Sequence, residues 1–247
     1  MSQPLHISRA RLRASRGEAL SAIAKLLIPD DPSKQAGHAH RVLWLLFQDI
    51  PDAARDFLWR DEGNGKYMLL SARPPVDPLG LFDLDTKEFE PSLKAGDRLS
   101  FSLRANPVVA SKVALTPEQR AARARGKKID VVMKALHDVP KTNWDRKTGR
   151  AFERDRIAAD AGAKWLAEQG TKSGFKLART PLVDGYTQVQ VERNVVRGSK
   201  KRPAGFSVLN LSGELEVTDP AAFLSRLPEG FGSAKAFGNG LMLIRRA

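Results

Sequence analysis

The chain of 247 residues contains no cysteine, which excludes disulfides, zinc–thiolate centres and thiol nucleophiles. It has only four histidines (His6, His38, His40 and His137), so a histidine-based metal site has little to draw on. Clustered carboxylates are also missing. Asp30/Asp31 and Asp83/Asp85 are the nearest approach, and both pairs read as turn-like, so no metal or cofactor is expected. No apolar run approaches the ~18 residues of a membrane span, and the N-terminus lacks the apolar core of a secretory signal. Acidic residues are scarce relative to basic ones: 28 Asp and Glu against 41 Lys and Arg, a net charge of +13. That excess favours a polyanionic partner, and a cytoplasmic nucleic-acid-binding protein is the leading class.

The apolar patterning that is present yields an α+β order. Leu5 to Arg13 alternates as a half-buried strand. Gly17 to Ile28 has helical spacing and stops at Pro29, Asp30 to Gly37 reads as a polar loop, and a second helix runs from about Ala39 to Phe47. Phe57–Arg60 and Tyr67–Ser71 flank Asp61-Glu-Gly-Asn-Gly65, a hairpin signal. Asp97 to Ala105 reads as a strand ended by Asn106-Pro107. In the second half, Lys128 to Met133 is a candidate strand and Glu153 to Gln169 a helix closed by Gly170. Tyr186–Val196 and Phe206–Val217 alternate as strands. Pro220 to Pro228 is a short helix capped by Asp219, and Leu241 to Ile244 a final strand. The order approximates βαββαβ twice, predicting two tandem ferredoxin-like (RRM-like) domains over residues 1–107 and 108–247.

Positive charge is concentrated in the second half. Ser111 to Arg150 holds eleven Lys/Arg and four Asp/Glu, a local excess of seven. After a helix start at Thr116-Pro-Glu-Gln-Arg120, the residues Arg123, Arg125, Lys127 and Lys128 form a basic cluster. Arg197, Lys200, Lys201 and Arg202 surround a glycine-containing hairpin tip, a ribbon that can straddle a nucleic-acid groove. Both are candidate phosphate contacts. The plain alternative for each is a solvated surface that keeps an edge soluble.

In Gly230 to Gly240, four glycines surround one lysine, Lys235, and Gly232 lies within the run. Successive backbone N–H groups in such a loop can form an anion nest, to which Lys235 adds a mobile charge. The loop follows a helix and precedes a strand, the reverse of a dinucleotide-binding turn, and it lacks the Gly-Lys-Ser/Thr ending of a Walker loop. A tight helix-to-strand turn explains the glycines equally well.

Without a metal, RNA supplies its own nucleophile, the 2′-hydroxyl, and an imidazole titrating near neutrality can move that proton. His40, followed by Arg41 at the start of an apolar-faced helix, is the candidate. His38 lies two residues away, nearly opposite on a helix, so a shared metal is not expected.

Four separated pieces occur in an order that resembles the CasE-type CRISPR-associated endoribonucleases. They are His40-Arg-Val-Leu-Trp-Leu-Leu-Phe47 with Pro51-Asp-Ala-Ala-Arg-Asp-Phe-Leu58; Phe101-Ser-Leu-Arg-Ala-Asn-Pro107; the Trp165 helix running into Gly174-Phe175; and Gly230 to Ile244. The resemblance implies metal-independent cleavage of precursor CRISPR RNA at the base of a repeat hairpin, leaving a cyclic phosphate and a 5′-hydroxyl. It implies retention of the product within the Cascade complex, and it places the catalytic histidine on His40. The basic residues named above correspond more loosely to the family's RNA contacts. Many members carry a tyrosine three residues before the histidine, where this chain has Gly37, and the segment 17–35 is longer than usual. Gly37 leaves open a second reading, an RNA-binding subunit that holds the guide hairpin without cutting. A generic RRM-like protein ranks last, because only two tyrosines are present and no aromatic–glycine RNP pattern is visible.

Overall fold

The computed structural model describes residues 4–13, 32–50, 54–111, 116, 127–139, 149–191 and 204–247. The expected helix at 17–28, the helix start at 116–120 beyond Thr116, the residues Arg123 and Arg125, and the tip Arg197–Arg202 lie outside them.

The first sheet is built from β1 (Leu5–Leu12), β2 (Phe57–Gly63), β3 (Lys66–Ser71) and β4 (Phe82–Phe89), in the spatial order β2-β3-β1-β4 and antiparallel throughout. Asn64 and Gly65, with φ of 52° and 68°, make the left-handed two-residue turn that the Asn-Gly signal foretold between β2 and β3. Helix α1 (Pro32–Trp44) continues into a 3₁₀ turn, Leu45–Phe47, and crosses from β1 to β2. It starts earlier than the sequence suggested: residues 32–37 are helical rather than loop, consistent with proline's preference for a first helical turn. Ala39, Val42, Leu43, Leu46 and Phe47 pack on Ala10, Phe57, Trp59, Tyr67 and Leu69.

Strand β4 went unseen in the sequence. Asp83 and Asp85 sit on it, opposite Arg11 and Arg9 of β1, and not in turns. It is an edge strand whose charged residues discourage further pairing, and that charge obscures its alternation.

The second sheet runs β11 (Met242–Arg246), β5 (Arg98–Ala105), β10 (Ala204–Val217), β8 (Phe175–Leu177), with β9 (Leu182–Val191) along the other part of the β10 edge. The Arg98–Ala105 strand, expected to close the first domain, therefore lies inside the second sheet. By sheet membership the chain divides between β4 and β5, ahead of residue 107. The expected first strand at Lys128–Met133 is also corrected. Lys127–Asp130 is β7, paired with β6 (Val108–Ser111) in a separate ribbon, and Val131–Asp138 is helix α2. The Asp130 carboxylate accepts from the Met133 amide at 2.7 Å, and this N-cap turns the Val-Val run helical against its β propensity.

Helix α3 (Gly149–Lys172) passes through Gly170 instead of stopping there. A Cβ at Gly170 would lie 2.6 Å from the Phe175 carbonyl, so close return of the chain requires that glycine. Helix α4 (Pro220–Glu229) is capped by Asp219, which accepts from the Ala222 amide at 3.0 Å. Trp165, Leu166, Phe175, Phe223, Leu227 and Phe231 fill the core between α3, α4 and this sheet, and Leu58 and Leu70 of the first sheet join the same core. The two sheets thus share apolar packing.

Candidate functional site

The loop between α4 and β11 is fastened across the two sheets. Its ends meet through Phe231 N–H to the Gly240 carbonyl (2.9 Å), and it pairs with the end of β5 through Ser233 N–H to Asn106 O (3.0 Å) and Gly240 N–H to Arg104 O (2.7 Å). Cβ atoms at Gly232 and Gly238 would lie 2.5 Å from Asn106 O and 2.9 Å from the Trp59 ring. These glycines are therefore demanded by packing. Lys235 begins a 3₁₀ turn (Lys235–Phe237) that packs on α1 and β2. Ala234, just before it, is held at φ 53°, a left-handed conformation that costs a non-glycine residue about 1 kcal/mol. The Ala234 carbonyl accepts from Phe237 N–H (2.9 Å) and from the buried Asn239 amide (3.2 Å), which lock the turn.

On the facing helix, His40 is half-buried in an aromatic surround. Trp44, one helical turn on, donates its indole N–H to His40 Nε2 at 3.1 Å, and the two rings meet edge-on. Phe57 lies 6.2 Å from the imidazole centroid and stacks on Phe47 at 4.4 Å. An indole can only donate, so Nε2 is the acceptor and the ring proton of the neutral form sits on Nδ1, which is buried without a partner among the described residues. Burial first, and the positive charge of Arg55 second, hold the His40 pKa below its ordinary 6.5. The ring is neutral at pH 7, with the basic lone pair on Nε2.

The cations collect beside it. Burial lowers the Lys235 pKa, as do the charges of Arg226, Arg55 and Lys128, with Glu229 acting in the opposite direction. Glu229 is already paired with Arg226 at 2.7 Å, and Lys128 Nζ donates to Ser233 Oγ at 2.8 Å on the loop. Lys128 and Gly232 thus join the Lys235 loop, whose turn packs on the helix that carries His40, and the sequence nominated these residues from three distant segments. Arg41 is exposed on α1, and Lys127 lies on β7 next to Lys128. Sequence reasoning missed Trp44, Arg55 and Arg226. Trp44 was visible as the i+4 neighbour of His40, whereas nothing local marked Arg55 or Arg226. Among the described residues, no group of three or more His, Cys, Asp or Glu side chains is gathered that could hold a metal ion. No helix among them is long and apolar enough to cross a membrane.

Fold and site together define an α+β protein of several antiparallel sheets in which a lysine-bearing loop packs on the helix of a half-buried histidine. A family model described as CRISPR associated protein matches residues 5–246. The CRISPR system Cascade subunit CasE of Escherichia coli K12 is 27% identical over 228 residues, spanning 90% of this chain and 98% of its own. The CRISPR-associated endoribonuclease Cse3 of Thermus thermophilus is 27% identical over 165 residues, 64% of this chain and 60% of its own. A solved structure of Cse3 bound to a 19-nucleotide RNA superposes with a TM-score of 0.65 at 22% identity, covering 99% of this chain and all of that one. The crystal structure of Cas6e from Escherichia coli K-12 gives 0.57 at 20% identity over 98% of this chain and 100% of that one. The chain belongs to the Cas6e/CasE/Cse3 family of CRISPR-associated endoribonucleases.

Proposed function

We propose that the protein cleaves precursor CRISPR RNA at the base of a repeat hairpin without a metal ion, and keeps the product as part of Cascade. The observation that carries this reading is the half-buried His40, its pKa lowered, on the helix against which the Lys235 turn packs. His40 Nε2 takes the 2′-hydroxyl proton, the 2′-oxygen attacks the adjacent phosphorus, and the bond to the 5′-oxygen breaks. The products are a cyclic phosphate and a 5′-hydroxyl, the leaving oxygen taking its proton from water. Lys235 and Lys128 offset the charge that builds on the phosphoryl oxygens, and Arg41 meets the backbone nearby. Arg123, Arg125, Lys127 and the tip residues Arg197, Lys200, Lys201 and Arg202 grip the stem. We read the sheets as two ferredoxin-like units. In each, the strands lie in the order fourth-first-third-second, β5 being the first strand of the second unit.

The second reading, a subunit that holds the guide hairpin without cutting, draws on Gly37 and on the occupied Nε2. One assay separates the two. A repeat-hairpin RNA incubated in excess EDTA should be cut once, leave a cyclic phosphate, and be protected by a 2′-deoxy nucleotide at the cut. His40→Ala should abolish that cut while hairpin binding persists. Tight binding by the wild type without cleavage favours the holding subunit, and full activity of His40→Ala removes His40 from the chemistry.

A further inference from the structure

Arg55 is a half-buried side chain that makes no hydrogen bond or ion pair among the described residues. A guanidinium that gives up part of its hydration without a described carboxylate beside it is placed to gain from a bound anion. The nearest carboxylate in sequence is already committed: Asp56 accepts from Arg73 Nε at 2.6 Å, and Asp49 is bound to the same arginine. Two residues beyond Arg55, Phe57 packs beside the His40 ring, so the chain entering β2 carries Arg55 along the imidazole. From the other side comes the turn that bears Lys235. The charges of Arg55 and Lys235 act on one another, as do those of Arg55 and His40. Lys128 and Arg226 complete the group, and Glu229, the carboxylate among them, is spent on Arg226. An assembly so short of negative charge suits an anion, and Arg55 is the guanidinium in it with no described partner.

We propose that Arg55 is a catalytic residue that donates two parallel N–H groups to the non-bridging oxygens of the scissile phosphate. This rests on the reading of His40 as the base. A planar guanidinium fits two phosphoryl oxygens at once, which an ammonium cannot do. In the reaction, the 2′-proton passes to His40 Nε2, the O2′–P bond forms and the P–O5′ bond breaks. Arg55 transfers nothing; it stabilises charge on the two equatorial oxygens as it develops. The same guanidinium adds to the burial that disfavours charge on the imidazole, so one residue helps to prepare the base and receives the substrate.

The test is single-turnover cleavage of a repeat-hairpin RNA at saturating protein, with affinity measured separately on a 2′-deoxy RNA. Arg55→Ala should cleave about 100-fold more slowly, the loss typical of one oxyanion donor, with RNA affinity changed far less. Added guanidinium ion should restore part of that rate in Arg55→Ala and none in His40→Ala. Arg55→Lys keeps the stem and charge but lacks the fork, and should remain about tenfold slow. It decides the matter should the alanine variant fail to fold. Cleavage by Arg55→Ala within threefold of wild type, full activity of Arg55→Lys, or a defect seen only in affinity would each overturn the assignment. If His40→Ala cuts normally, the base reading fails instead, and that result leaves the Arg55 measurements readable.

Discussion

Replacing Gly238 by alanine tests whether the glycines of the Lys235 loop serve packing. Gly238 has φ of 74°, where an L side chain costs about 1 kcal/mol in backbone strain. The added methyl would also lie 2.9, 3.1 and 3.2 Å from three ring atoms of Trp59. That indole is only 1% exposed and is packed within the apolar cluster of α1 and the first sheet, so it cannot step aside. Overpacking of this kind costs about 1–3 kcal/mol. The sum is a loss of about 2–4 kcal/mol, a large share of the ~5–15 kcal/mol that holds a typical protein folded. Urea unfolding followed by tryptophan fluorescence should show a lower midpoint with an unchanged slope. Gly37→Ala is the internal control. That helical glycine has nothing within 4 Å of its added methyl, so the change should stabilise by about 0.5–1 kcal/mol. A loss below 1 kcal/mol in Gly238→Ala would refute the packing account and return this glycine to a role in ligand approach.

Other expectations concern charge and the histidine. In Arg55→Met, an NMR titration of the free protein should move the His40 midpoint upwards while leaving it below 6.5, because burial, the larger cause, remains. The sign for stability follows. Folding favours the neutral ring, so this contribution is present above about pH 6.5 and is lost as pH falls through the lower folded midpoint; an unmoved midpoint in Arg55→Met would show that Arg55 exerts no field at the ring. Trp44→Phe removes the indole N–H that the substrate hydroxyl must displace from Nε2. Its cleavage efficiency at low RNA concentration should rise about 2–10-fold, the equivalent of one hydrogen bond, and a fall would mean that the indole assists the reaction. Lys128→Ala and Lys235→Ala should each weaken hairpin binding and reduce its salt slope by about one unit. An unchanged slope would remove that lysine from the phosphate contacts.

Local pattern was enough for the elements whose side chains repeat with one period. The Asn64-Gly65 hairpin, the long alternation of β10, the capped helix after Asp219 and the apolar face of α1 were all legible. So was the placing of His40 one turn from Trp44, since helical spacing fixes that from sequence alone. Where signals competed, pattern failed. Charge hid the edge strand β4, and the Val131-Val132 pair read as strand until the Asp130 cap settled the helix. Sheet membership was not legible at all: β5 alternates identically whichever sheet it joins, and only its pairing with β10 and β11 assigns it.

The family, the basic excess and the histidine were therefore properties of the sequence. The site was a property of the tertiary structure. Lys235 lies nearly two hundred residues from His40, and Arg55 belongs to the strand entry that follows α1, so no periodicity links the three. They meet because the glycine loop is stapled to the end of β5 and its turn packs on α1 and β2. Local periodicity decides which face a side chain takes within its own element. Long-range packing between the two sheets decides what is buried and which charges lie close together, and that burial first, with the Arg55 charge second, lowers the His40 pKa.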